Sequence, residues 1–418
     1  MRLFGGLVEF FAALRYRDFR LFWMGLVAQI TGQQMTIVTL GWLAFDLTES
    51  PLALGFINLV AAAPRILVGL AGGVFADRFD PRTLVTAAQA TSVIMLVTLA
   101  ALTLTDRAAV WNLAAAAFVI GLVQSFDEPA RMSLFPRLLP DRSLIPIAVP
   151  LTSVAWSSTR IIAPSIAGFV IAAAGAGPSF LVAAAGAAAM AAVMRMVHAH
   201  QATSGRHGTM LGDLKAGAAY VWGHPVFRPL LLLAFAASAF GQGYMLTLPV
   251  FQAQVHEVGP RELGYMYSSA GAGALAGLYA YSRYFRKRSP GHVVLGGAGA
   301  FGTMLVVFAI TPWFEAALVL LFIAASVGVL QITTGQVILQ TLVDDSLRGR
   351  VMALYGIQWG VLPVGGALMN GVAQGTGAPI AVAGAGALLL AIAAVIAARG
   401  PALRAVTLPQ AGPSPAWA

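Results

Sequence analysis

The 418-residue sequence predicts an all-α membrane protein, with twelve transmembrane helices in two six-helix bundles related by parallel duplication. Three observations predict it: composition, the spacing of apolar windows, and a repeat between the halves. Hydrophobic residues make up 59% of the chain and charged ones 10%. A soluble domain carries about 25% charge and 45–50% apolar residues, so too little polar surface remains here to cover a water-soluble fold. A hydrocarbon core about 30 Å thick takes roughly 20 residues per span. A dozen spans use about 240 residues on that arithmetic, and the rest suffices for loops.

The first six windows fall near 19–46, 52–76, 83–104, 110–129, 144–174 and 179–197, divided by breaks such as Glu49-Ser50-Pro51, Asp77 to Arg82 and Asp106-Arg107. The second six fall near 229–252, 262–283, 292–311, 314–341, 350–373 and 378–398. Short charged or Gly/Pro-containing breaks between apolar runs mark loops. The long polar connection, His198 to Arg228, separates the sets. The domains are therefore a bundle over 1–197, a cytoplasmic linker over 198–228, a second bundle over 229–398 and a cytoplasmic tail over 399–418.

A net charge of +9 suggests a nucleic-acid partner on its face, but such proteins gather basic residues on a solvated surface. Here they punctuate apolar runs and set topology. With the N-terminus inside, 21 of the 25 basic residues fall on the cytoplasmic side, and Arg107 and Arg261 on the other. The positive-inside rule produces this bias, with both termini cytoplasmic. Arg65 and Arg160 remain, inside apolar windows. The chain contains no cysteine, which excludes a thiol nucleophile, a Cys-based metal site and a disulfide. The opening segment has no small-residue cleavage site after its apolar stretch and reads as an uncleaved amphipathic lead-in.

The halves share landmarks in the same order. Asp18-Phe19-Arg20-Leu21 recurs loosely as Val226-Phe227-Arg228-Pro229, and Leu54-Gly55-Phe56 as Leu263-Gly264-Tyr265. Ser143-Leu144 with Leu151 and Trp156 recurs at identical spacing as Ser346-Leu347 with Leu354 and Trp359. A common offset and orientation signal a parallel repeat.

Between the second and third windows stands Gly73-Val-Phe-Ala-Asp77-Arg78-Phe-Asp80-Pro81-Arg82. Gly69, Gly72 and Gly73 permit close helix approach, and a carboxylate such as Asp77 is favoured at a helix N-terminus. The segment resembles the signature loop of the major facilitator superfamily, with Pro81 where a second basic residue is common. Tyr16 to Trp23, Leu47 to Gly55, Asp127 to Arg131, Arg160 to Gly168 and Leu347 to Met352 look like its drug-efflux and siderophore-exporter branch. The resemblance implies alternating access, with Gly73, Asp77, Arg78 and Arg82 as a gating loop. It also implies a bacterial inner-membrane location and a monomer in lipid. Arg160 to Gly168 is similar to the antiporter motif, with Ala163 and Ala167 replacing two glycines. Pro164 and Gly168 are expected to serve helix packing.

Arg65 lies about 18 Å from either end of its window at 1.5 Å per residue, too deep to snorkel easily. A charge there costs at least about 2.5 kcal/mol unless it meets water or a partner. It therefore faces inward, on one stripe with Asn58, either as a substrate contact or as a hydrogen-bond anchor. Arg160 has Asp127 and Glu128 as expected ion-pair partners, and the same acids are the candidates for proton coupling, since burial beside an arginine tunes a carboxylate. No acid or histidine lies near the middle of a window.

Buried amides are costly in lipid and face protein or water. Gln29, Gln33, Gln242, Tyr244, Gln336 and Gln358, with Asn58 and Arg65, are thus the candidate cavity residues. They form an aromatic, neutral-polar and locally positive surface suited to a bulky amphipathic or anionic solute. The expectation is a proton-coupled exporter of a small molecule; an importer, a lipid flippase or a non-transporting sensor are the alternatives. No enzyme is expected, because neither lysine lies in a phosphate loop and no zinc-protease motif occurs. No cofactor, metal or nucleic acid is implied. Gly297-x-Gly299-x-x-Gly302 lies in an apolar window and reads as helix packing.

Overall fold

Helices start and stop at residues chemically suited to the task. The computed structural model describes residues 12–78, 80–139, 141, 144–197, 210–285 and 288–407. Helix α1 (Arg17–Thr48) ends at Glu49, whose φ is 50° and whose N–H returns to the Phe45 carbonyl. Pro51 then opens α2 (Pro51–Arg78), a position where a missing N–H costs nothing. Helix α3 (Pro81–Leu104) starts on another proline, and the Asp80 side chain caps it by accepting from the Arg82 N–H. The Asn112 side chain accepts from the Ala109 N–H at 2.9 Å at the start of α4 (Val110–Leu134). Gly175, at φ 87°, turns α5 (Ile145–Ala174) into α6 (Ala176–Met196). A positive φ of that size is open to glycine without steric cost.

The second set opens with α7 (Met210–Gly223), which occupies part of the expected linker. Helix α8 (Phe227–Ala236) runs on through a π turn (Ala237–Gly241), a 3-10 stretch (Gln242–Thr247) and a second π turn (Phe251–Val255). Helices α9 (Pro260–Ala280), α10 (Pro290–Ala309) and α11 (Phe314–Leu342) follow. The expected single helix over 350–373 is interrupted. It divides into α12 (Asp345–Gly356) and α13 (Gln358–Thr376) about Ile357, before α14 (Ala378–Arg399).

Among the described residues, nine helices are long and apolar enough to cross a membrane. The other three expected spans are α1, α2 and α9, all helical. Gln29, Gln33 and Gln34 dilute the apolarity of α1, and Tyr265, Tyr267, Ser268 and Ser269 with the glycines that of α9. The described side chains of α2 form an apolar helix over Pro51–Arg65, and most of those beyond it lie outside the described residues.

The chain reverses at two ends. The basic end carries the α2–α3, α4–α5 and α10–α9 turns, and the far end carries the α1–α2, α5–α6 and α13–α14 turns. Backbone geometry repeats across the halves at the far end. Glu49 and Glu257 have φ of 50° and 51°, and Gly175 and Gly377 have φ of 87° and 88°. These pairs are 208 and 202 positions apart.

Within the first set α6 packs on α1 and α3, and α2 on α4. Small residues permit the approach: a Cβ on Gly32 of α1 would come within 2.5 Å of the Ala183 carbonyl oxygen of α6. Within the second set α9 packs on α11 and α10 on α14. A Cβ on Gly302 would stand 2.5 Å from the Gly386 oxygen, so the Gly297 to Gly302 segment packs helices. Two extensive contacts join the sets, α5 on α9 and α2 on α13.

Candidate functional site

Asp127 of α4 is buried at the centre of a polar network. Its Oδ2 accepts from Gln29 Nε2 of α1 at 2.9 Å, and its Oδ1 accepts from Gln89 Nε2 of α3 at 2.9 Å. Arg131, one turn along α4, lies 3.8 Å from Asp127 Oδ2 and donates to Gln29 Oε1 at 2.8 Å. The two charged side chains are 8% and 3% exposed. Removing one member of such a pair leaves an uncompensated buried charge, a loss of about 3–5 kcal/mol. Three helices are thereby tied to one carboxylate.

Glu128, the next residue, points elsewhere. Its Oε2 accepts from Arg65 Nη2 of α2 at 3.2 Å, and both side chains are about half exposed, at 47% and 46%. The expected pairing of Arg160 with these acids is therefore corrected. Asp127 bonds Arg131 and Glu128 bonds Arg65, because adjacent residues on a helix face about 100° apart and reach different neighbours. Arg160 is half-buried at mid-helix in α5. It makes no ion pair among the described residues.

The α5–α9 contact is built from small residues. A Cβ on Gly264 would meet the Pro164 carbonyl oxygen at 2.6 Å, one on Gly168 would meet the Pro260 oxygen at 2.5 Å, and one on Gly271 would meet the Arg160 oxygen at 2.6 Å. Ser165 and Ser268 share a hydrogen bond of 2.8 Å, and Ser268 also donates to the Ile161 carbonyl. On α2 and α13, Ser50 Oγ donates to Gln374 Oε1 at 2.8 Å and the Leu52 N–H to the same oxygen at 3.1 Å. A Cβ on Gly55 would stand 2.9 Å from Asn370 Cβ. These side-chain hydrogen bonds between the sets lie between mid-helix and the far end.

The irregular parts of the second set meet each other. Ser238 Oγ, in the first π turn, donates to the Gln358 carbonyl at 2.5 Å, beside the α12–α13 break. Asn370 Nδ2 donates to the Leu246 carbonyl at 3.2 Å. A Cβ on Gly243 would lie 2.9 Å from Gly366 N. Non-helical backbone at membrane depth is tolerated where protein or a wet cavity surrounds it.

The remaining expected site residues scatter. Gln33 Nε2 lies 3.5 Å from Gln124 Oε1. Asn58 has a buried Nδ2 without a partner, and Gln358, 1% exposed, has both amide atoms unpartnered. Gln242 is half-buried, whereas Gln336 is exposed. Tyr244 is 2% exposed and sits edge-on to Phe301 at 6.3 Å, in the core of its own set. Of the gating-loop residues, Arg82 donates from Nε and Nη2 to the Met194 carbonyl at 3.2 and 3.0 Å, closing the C-terminus of α6. The side-chain surroundings of Gly73, Asp77 and Arg78 lie outside the described residues. Sequence reasoning missed Gln89 and Arg131; the four-residue spacing of Asp127 and Arg131 was the available signal.

The fold recurs in solved structures. The nucleoside transporter NupG superposes with a TM-score of 0.75 at 12% identity, over 91% of this chain and 98% of that one. A bacterial homologue of the human lysosomal transporter Spinster, inward-facing and unoccupied, gives 0.70 at 14% identity, over 90% and 95%. A POT family transporter in complex with a thioalcohol-conjugated peptide gives 0.73 at 13%, over 93% and 96%. No curated protein sequence matches the chain. The family described as transmembrane secretion effector matches residues 8–415. These relatives are transporters and not enzymes. The chain belongs to the transmembrane secretion effector family, within the major facilitator superfamily of multi-pass membrane transporters.

Proposed function

We propose that the protein exports a bulky amphipathic or anionic small molecule, of the drug or siderophore class, by proton-coupled alternating access. One observation carries this reading: the contacts between the helix sets gather toward the far end, through Gly168 with Gly264, Ser165 with Ser268 and Ser50 with Gln374. Close backbone approach at glycine leaves a contact that can part and re-form without stranding large side chains. In this reading the twelve helices form a 6+6 duplication that rocks about a central site. Both termini face the cytoplasm of a bacterial inner membrane, the structure is closed outward, and the gating loop steadies the opposite state.

Proton coupling falls to Glu128 in this reading. It is about half exposed and bonded to an equally exposed arginine, so a proton can reach it and release Arg65. Asp127, fully buried and held by two amides and Arg131, serves to fix α1, α3 and α4.

The test is uptake into inverted vesicles under an imposed pH gradient, with siderophores, macrolides and amphipathic anions as solutes. Solute accumulation that collapses with the gradient supports proton-coupled export. Uptake insensitive to the gradient contradicts coupling, and accumulation in the opposite direction favours an importer.

A further inference from the structure

Arg65, Arg131 and Arg160 lie deepest among the arginines of the first set's described helices. Two are neutralised within the protein, Arg65 by Glu128 and Arg131 by Asp127. Arg160 is not. It stands 15 residues from Ile145 and 14 from Ala174, about 21 Å from either end of α5 at 1.5 Å per residue. That is too far for its guanidinium to snorkel out. A charge at such a depth is unfavourable by at least about 2.5 kcal/mol unless it meets a counter-charge or a wet cavity. Among the described residues no carboxylate lies within 4 Å of it and no side chain accepts from it.

Its position is between the two sets. The backbone of Arg160 lies against Gly271 of α9, where a Cβ would come within 2.6 Å of its carbonyl oxygen. It is therefore at the junction of α5 and α9. The side chains bonded across that junction, Ser165 and Ser268, are neutral, and they sit beside the carbonyls of a glycine-lined contact. A planar guanidinium with free donors matches a carboxylate, sulfonate or phosphate better than any other partner.

We propose that Arg160 is an anion-docking group at the contact between the helix sets, taking the carboxylate, sulfonate or phosphate of an organic anion. This rests on the transport reading and narrows its substrate class to anions. It also moves the charge contact from Arg65, which already holds Glu128, to Arg160.

The chain's lack of cysteine permits a clean test. Fluorescein and rhodamine 6G share a xanthene skeleton and differ in charge: fluorescein is an anion with a free carboxylate, and rhodamine 6G, whose carboxyl is esterified, is a cation. Binding is read by fluorescence anisotropy with the protein in phosphatidylcholine nanodiscs. Wild type is expected to bind fluorescein at least tenfold more tightly than rhodamine 6G. Arg160→Gln and Arg160→Cys should each weaken fluorescein about tenfold or more. Arg160→Lys should stay within about threefold of wild type. Modifying the single thiol of Arg160→Cys with an aminoethyl methanethiosulfonate restores a positive charge and should restore fluorescein binding; the sulfonatoethyl reagent should not.

A wild type without anion preference, or an Arg160→Cys protein that binds fluorescein normally, overturns the proposal. So does loss of wild-type fluorescein binding in phosphatidylglycerol nanodiscs, which would assign Arg160 to a lipid headgroup. If Arg160→Gln does not fold, the two thiol reagents on Arg160→Cys and the Arg160→Lys protein still decide. Charge-dependent binding without uptake by proteoliposomes would refute transport and leave the docking site standing. Anion uptake unaffected by Arg160→Gln would do the reverse.

Discussion

Gln29 bridges Asp127 and Arg131: its amide nitrogen donates to the carboxylate at 2.9 Å while its oxygen accepts from the guanidinium at 2.8 Å. A neutral side chain on α1 thus completes an ion pair on α4 whose direct separation is 3.8 Å. The pair and its bridge are buried, so the network is expected to dominate the stability of the first helix set.

Asp127→Ala should therefore be among the most destabilising single changes in the chain, by roughly 3 kcal/mol or more, because Arg131 is left charged and dry. Asp127→Asn keeps one acceptor for Gln29 or Gln89 and should lose less. Thermal unfolding in detergent reads both. Equal stability of Asp127→Ala and wild type would contradict the role assigned to the network.

The Arg65–Glu128 pair predicts the opposite pattern. Both side chains are about half exposed, and a pair of that kind contributes about 0–1 kcal/mol. Arg65→Gln and Glu128→Gln should leave the unfolding temperature nearly unchanged while altering transport, with Glu128→Gln losing gradient-driven accumulation but keeping solute exchange. If Glu128→Gln retains uphill transport, the coupling role falls.

A small pH dependence is expected at the basic end. His224, between α7 and α8, stacks on Phe227 with ring centroids 3.8 Å apart. Burial lowers its pKa below the usual histidine value, against an opposing pull from Asp344. The folded protein then binds fewer protons here than the unfolded chain, so stability rises with pH. The loss begins as pH falls through the unfolded value, about 6.5, and is complete below the folded one. His224→Phe keeps the stack and should flatten that acid-side slope in unfolding scans between pH 8 and pH 5. An unchanged slope would exclude His224 as its source.

Much of the helical order was legible because composition and loop residues act locally. Pro51, Pro81, Pro260 and Pro290 start helices for the reason that a proline reads as a helix start. The breaks inside α8 and between α12 and α13 were less legible, because they depend on how two helices meet: Ser238 bonds the Gln358 carbonyl, 120 residues away. Site residues divide in the same way. Gln29 and Arg65 stood out as polar groups in apolar windows. Arg131 did not, because at the end of a window it looks like one more topological charge; its burial comes from α1 and α3 folding over it. The pairing of Arg160 was misjudged because nearness of window ends does not say which way adjacent carboxylates face.

The central claim is that the α5–α9 contact must open for transport. Ser165 and Ser268 place their hydroxyls 2.8 Å apart across it, and with no native thiol the Ser165→Cys, Ser268→Cys double variant offers one possible disulfide. Proteoliposome uptake should be compared in its oxidised and reduced forms. The account predicts that oxidation reduces transport to below about a tenth and that reduction restores it, with each single variant active throughout. A fully cross-linked protein that transports at the reduced rate would contradict it.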